Sequence, residues 1–159
     1  MCRPRPLGKS ETRHTRRILT KTIRKGGFFV PRKDKMSYIY YNPNPKQNRV
    51  GDCTIRAITK ATGLSWEKIY SALSTMGFIL SDMPSSNHVW GAYLKREGFK
   101  RYIVDDKGND IYTVKDFCRD NPTGTYILAI DGHVVCVTDG NYYDAWDSGD
   151  EIPIYFWTR

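Results

Sequence analysis

The feature that most constrains this chain is a change of hydrophobic period near residue 122. Before that point apolar side chains recur at helical spacing. After it, "TYILAI", "HVVCVT", "NYYDAW" and "IPIYFW" are rich in β-branched and aromatic residues, separated in part by the turn dipeptides Asp131-Gly132 and Asp139-Gly140. Helices first and strands last predict an α+β domain, with the four final segments forming an antiparallel meander. No internal repeat at solenoid or propeller periods competes with that reading.

Three helical segments precede the switch. "DCTIRAITKATG" sets Ile55, Ile58, Ala61 and Thr62 along one stripe and stops at Gly63, a residue suited to the left-handed C′ position. "LSWEKIYSALSTMG" takes Ser65 as its N-cap, spaces Leu64 and Ile69 as a hydrophobic staple and ends at Gly77. "SSNHVWGAYLKREG" starts from Ser86 or Asn87 and aligns Val89, Tyr93 and Leu94 before Gly98. "FKRYIVDD" then predicts a short strand, and "YTVKDFCRDNPTG" a brief helix capped by Thr113 and closed before Pro122. "PNPKQNRVG", residues 43–51, is turn-forming, since Pro43 and Pro45 exclude regular structure.

The net charge of +8 is unevenly distributed. Residues 1–35 hold 12 Lys and Arg against two acids, Glu11 and Asp34, while the other 124 residues hold 13 basic and 15 acidic side chains. The first segment has few apolar residues in no sustained period, so it cannot offset the entropy of ordering, and we expect a disordered basic arm. It either attracts the phosphates of a nucleic acid in a salt-sensitive way, or is a solvated tail, or precedes a true start at Met36. The expected domains are therefore the arm, 1–35, and a folded domain, 36–159.

No apolar run approaches the roughly 18 to 20 residues of a membrane span. The N-terminal text also lacks the apolar core and cleavage site of a secretory signal. We expect a cytoplasmic protein with no membrane partner. The four cysteines, Cys2, Cys53, Cys118 and Cys136, show no paired metal-binding spacing. They predict free thiols, with no metal, no cofactor and no disulfide framework.

Chemistry concentrates at Cys53. A thiol at a helix N-terminus feels the partial positive charge of unpaired amides, which favours the thiolate nucleophile. Cys118 and Cys136 lie inside periodic helix and strand segments and read as core thiols; Cys2 is a tail thiol. A nucleophile needs a base, and His133, at the first position of a strand after the Asp131-Gly132 turn, is better placed than His14 in the arm or His88 within a helix. The base needs an orienting acceptor, and "YYDAWDSG" offers two. A two-residue turn at Asp139-Gly140 pairs Val137 with Tyr142 and puts Asp144 on the histidine's face; a longer loop or bulge substitutes Asp147. An oxyanion donor is available from Gln47 or Asn48, together with the Cys53 backbone N–H.

In order and spacing, Gln47, Cys53 with its helix, the "GHVVCV" strand and the "YYDAWDSG" strand resemble papain-like cysteine peptidases. The compact layout is most similar to the bacteriocin-processing peptidase domains of bacterial exporters and to small papain-like proteins of phages and prophages. The resemblance implies a papain-like fold and a thiol hydrolase acting on a peptide or protein substrate. Cys53 would be nucleophile, His133 base, Gln47 oxyanion donor and Asp147, rather than Asp144, the acid behind the histidine. Thr54 stands where papain itself has Trp, and the chain is much shorter. The rival expectation is an inactive papain-like interaction module, or a nucleic-acid-associated protein tethered by residues 1–35.

Overall fold

A helix buried on nearly every side organises the domain. In the computed structural model, which describes residues 36–104 and 111–159, this helix is α1 (Cys53–Thr62), and its first seven residues are all buried. Polar Thr54, Arg56 and Thr59 are buried along with Ile55, Ala57 and Ile58 because α1 lies between a sheet and α2 (Trp66–Leu80). It ends where Gly63 adopts φ 71° and donates its N–H to the Thr59 carbonyl, as the glycine signal predicts. α3 (Asn87–Arg96) completes this layer. Ser65 and Ser86 cap α2 and α3 through their hydroxyls, accepting from the amides of Lys68 and Val89.

Gly77 does not end α2. The helix continues to Leu80 and closes at Ser81, which takes φ 53°. Gly77 is buried inside the helix, where a Cβ would stand 2.6 Å from the Asp82 carbonyl oxygen. The glycine marks a close backbone approach, which sequence pattern does not distinguish from a stop.

Among the described residues the sheet has six strands: β1 (Tyr38–Tyr40), β2 (Lys100–Ile103), β3 (Thr125–Ile130), β4 (His133–Thr138), β5 (Asn141–Asp144) and β6 (Pro153–Thr158). Their order is β1-β5-β4-β3-β6-β2. This corrects two expectations. The sheet is mixed rather than antiparallel, because β1 runs parallel to β5 with Tyr38 opposite Tyr142. The last four strands are not a meander either, since β6 returns to the far side of β3 and sets Trp157 opposite Ile127. There Phe156 meets Tyr126 and Phe117 at centroid distances of 5.8 and 5.1 Å. The class is α+β, with helices packed on a mixed six-stranded sheet.

Both faces of the central strands are covered. Ile127, Ala129, Val134 and Cys136 join Ile58, Ile69, Leu73, Trp90 and Leu94 of α1–α3 in one core. Leu128, Ile130, Val135 and Val137 meet Val114, Phe117 and Cys118 of α4 (Val114–Asp120) in another. Two-sided burial explains why β3 and β4 read as nearly unbroken apolar runs. Each wholly buried aliphatic side chain such as Ile58 or Leu73 stabilises the fold by about 1.5–3 kcal/mol, which holds α1 firmly against the sheet. α4 starts with a reciprocal capping box between Thr113 and Asp116. The expected basic arm, residues 1–35, lies outside the described residues.

Candidate active site

Cys53 is the first residue of α1 and is 4% exposed. The N-cap before it, Asp52, makes no side-chain cap hydrogen bond. Its carboxylate instead accepts from the indole Nε1 of Trp66 at 2.8 Å and pairs with Arg56 one turn along α1. Cys53 Sγ lies 4.0 Å from the Thr54 hydroxyl. In this structure Cys53 is disulfide-bonded, against the expectation of four free thiols, so acyl chemistry at its sulfur belongs to the reduced form. Cys118 and Cys136 are free and buried, as core thiols should be.

Eighty positions along the chain, His133 opens β4 and borders the same cavity as Cys53. This cleft, of about 380 Å³, is walled by the start of α1, by Ser85, Ser86 and Asn87 at the start of α3, and by the β3–β4 turn, with Ile154 and Tyr155 of β6. His133 Nε2 meets Asp144 Oδ2 at 2.6 Å, with the two side chains only 8% and 2% exposed. Asp144 Oδ1 accepts from the Ala145 amide at 2.7 Å. With Nε2 engaged by the carboxylate, Nδ1 is the imidazole nitrogen left for proton transfer. Trp146 covers the ring at a centroid distance of 5.2 Å.

Two of the expected site residues stand elsewhere. Asp147 accepts from the Tyr142 hydroxyl at 2.6 Å and the Gly149 amide at 3.1 Å, so the acid on His133 is Asp144, not the Asp147 that the resemblance favoured. The physical reason is register: Asp139 (φ 49°) and Gly140 (φ 72°) form a two-residue turn, Val137 pairs with Tyr142, and Asp144 falls on the histidine's side. Gln47, exposed and at φ 54°, donates its side-chain amide to the carbonyls of Asn42 and Asn44 at 3.0 Å each. It braces its own turn and does not line the cavity. Asn48 borders a neighbouring cavity of about 410 Å³, walled by Val50, Ile55, Trp66, Tyr70 and Pro84, which shares Thr54 and Ser85 with the first.

Sequence reasoning missed Arg56. Its side chain is 9% exposed, its Nη1 pairs with Asp52 and its Nη2 lies 3.7 Å from Asp144 Oδ1. A basic residue within a helix reads as solvent-facing, and the one local signal was the four-residue spacing from Asp52. Asn87 was named only as a helix start. In the cavity wall its Oδ1 accepts from Trp90 Nε1 at 3.1 Å, which leaves its NH₂ group as a donor.

Among the described residues no helix is long and apolar enough to cross a membrane, and no group of three or more His, Cys, Asp or Glu side chains is placed to hold a metal ion. Comparison with protein-family models, with curated proteins and with solved structures finds no match.

Proposed function

We propose that this protein is a cysteine peptidase, or a related thiol acyl hydrolase, that cleaves an amide or isopeptide bond on a papain-like scaffold. The observation that carries the reading is that His133, buried and paired with Asp144, borders one cavity with a cysteine at a helix N-terminus. In the reduced protein, His133 Nδ1 takes the Cys53 thiol proton and the thiolate attacks the carbonyl carbon. The oxyanion accepts hydrogen bonds from the first-turn amides of α1. The imidazolium then protonates the leaving amine, the C–N bond breaks, and a thioester remains on Cys53. Water, deprotonated by His133, attacks that thioester; the C–S bond breaks, the acid departs and the thiol is restored. Asp144 holds the imidazole in the tautomer and orientation that these steps need.

The direct test is a peptidyl activity-based probe for cysteine hydrolases, applied to protein reduced beforehand. The reading predicts one adduct at Cys53, absent from Cys53→Ala. An unlabelled reduced protein would overturn it.

A second reading, a papain-like interaction module without turnover, is favoured by the engagement of the Gln47 amide within its own turn. Residues 1–35 would then bring a nucleic acid to the domain. Salt-sensitive RNA or DNA binding that persists in Cys53→Ala, with no probe adduct on reduced wild-type protein, is the result that would select it.

A further inference from the structure

Arg56 stands between two buried carboxylates on different elements. Its guanidinium pairs through Nη1 with Asp52, the residue preceding Cys53, and through Nη2 approaches Asp144, the acid on His133. Asp52 is held from its other oxygen by the Trp66 indole. These contacts form a chain from Trp66 of α2, through the N-cap Asp52 and Arg56 of α1, to Asp144 of β5 and His133 of β4.

We propose that Arg56 is the positioning residue of this site, fixing the Asp144 carboxylate against His133 and fixing β5 relative to the helix start that carries Cys53. The inference rests on the reading of Cys53 and His133 as a catalytic pair. Three features support it. Asp144 Oδ2 is used by His133 and Oδ1 by the Ala145 amide; a main-chain donor one residue away holds the carboxylate locally but does not tie it to α1. Arg56 supplies that tie across 88 positions of sequence. A guanidinium is also suited to the task, because its planar fork offers donors to two carboxylates at once, whereas a lysine ammonium is one point charge. Finally, Arg56, Asp52 and Asp144 are each less than a tenth exposed, so none of these charges is solvated well enough to stand alone. The trio carries a formal charge of −1 when His133 is neutral and balances when His133 is protonated.

Among the described residues, the charged and titratable groups that face this site are Cys53 and Arg56 from α1, Asp144 from β5, Asp131 from the β3–β4 turn and Tyr155 from β6, with Asp52, the N-cap of α1, behind Arg56. The experiment measures the rate of Cys53 alkylation by iodoacetamide in the reduced full chain from pH 5 to 9. It compares wild type with His133→Ala, Arg56→Lys, and the double variant Asp52→Asn with Arg56→Gln, which removes the ion pair without stranding Asp52. We expect the double variant to label at least about tenfold more slowly at pH 6, with a changed pH profile, and Arg56→Lys to fall between it and wild type. If the double variant does not fold, Arg56→Lys alone decides, with a slowing of about threefold or more and a displaced profile as the expected result. Wild-type rates and profile in the folded variants would overturn the proposal. The two readings fail differently: labelling that ignores His133→Ala removes the catalytic pair itself, whereas labelling that depends on His133 but not on Arg56 removes only the positioning role.

Discussion

Val137 pairs with Tyr142 across the Asp139–Gly140 turn, and this register decides which acid reaches His133. One extra residue in that turn would send Asp144 to the opposite face, because side chains alternate along a strand. The two candidate acids therefore differ in what they do. Asp144→Asn should slow Cys53 acylation by a peptidyl probe by on the order of 10³-fold, through loss of the imidazole tautomer and its charge partner. Asp147→Asn should stay within about threefold of wild type, since His133 is held by Asp144 while Asp147 accepts from Tyr142 and Gly149. The reverse ranking would return Asp147 to the site.

Gln47 gives a second contrast. A side-chain donor in an oxyanion hole is worth roughly 10²–10³ in rate. With its amide on the Asn42 and Asn44 carbonyls, Gln47→Ala should change the acylation rate by less than about threefold and act on the stability of its turn instead. A hundredfold loss in rate, at unchanged melting temperature, would show that the turn opens to present the amide.

The remaining thiols supply a pH prediction. Burial pushes the Cys136 thiol from an ordinary 9.0 up to about 12, and burial followed by the nearby Cys136 does the same for Cys118. For a group with its folded value raised, the associated stability is complete below the unfolded value and is lost as pH climbs to the folded one. Urea midpoints should therefore hold up to about pH 9 and fall steadily toward pH 12. Alkylation of Cys118 and Cys136 in native protein near pH 7 should be negligible. Rapid modification of either one without unfolding contradicts the burial.

Gly77 yields a packing prediction. A methyl group there meets the Asp82 carbonyl oxygen at 2.6 Å, with Pro84 close behind. Gly77→Ala should cost about 1–3 kcal/mol in denaturant unfolding, despite the better helix propensity of alanine. A neutral or stabilising result would mean that the 81–84 segment moves freely away from α2.

Much of the fold was legible because its signals are local. The strands "TYILAI" and "HVVCVT" coincide with β3 and β4, and Ser65, Ser86, Thr113 and Gly63 cap as their chemistry dictates. What sequence could not supply is non-local. β1 is three residues long with no alternation to read, and its partner Tyr142 lies a hundred positions away. Nothing in "IPIYFW" says that β6 will choose the edge of β3 over that of β5. Within the site, parity reduced the acid to a choice governed by turn length, and the resemblance then chose Asp147 where the register gives Asp144. Arg56 was invisible for the same reason as β1, since its significance lies in a carboxylate distant in the text.

The central claim is that reduced Cys53 and His133 act as one unit, and the rate of Cys53 carbamidomethylation at pH 6 tests it most directly. An ordinary thiol is almost wholly protonated at that pH and reacts slowly. The account predicts that His133→Ala slows the reaction at Cys53 by on the order of 10²-fold while the fold is retained by circular dichroism. Equal rates in the wild type and in His133→Ala would contradict it.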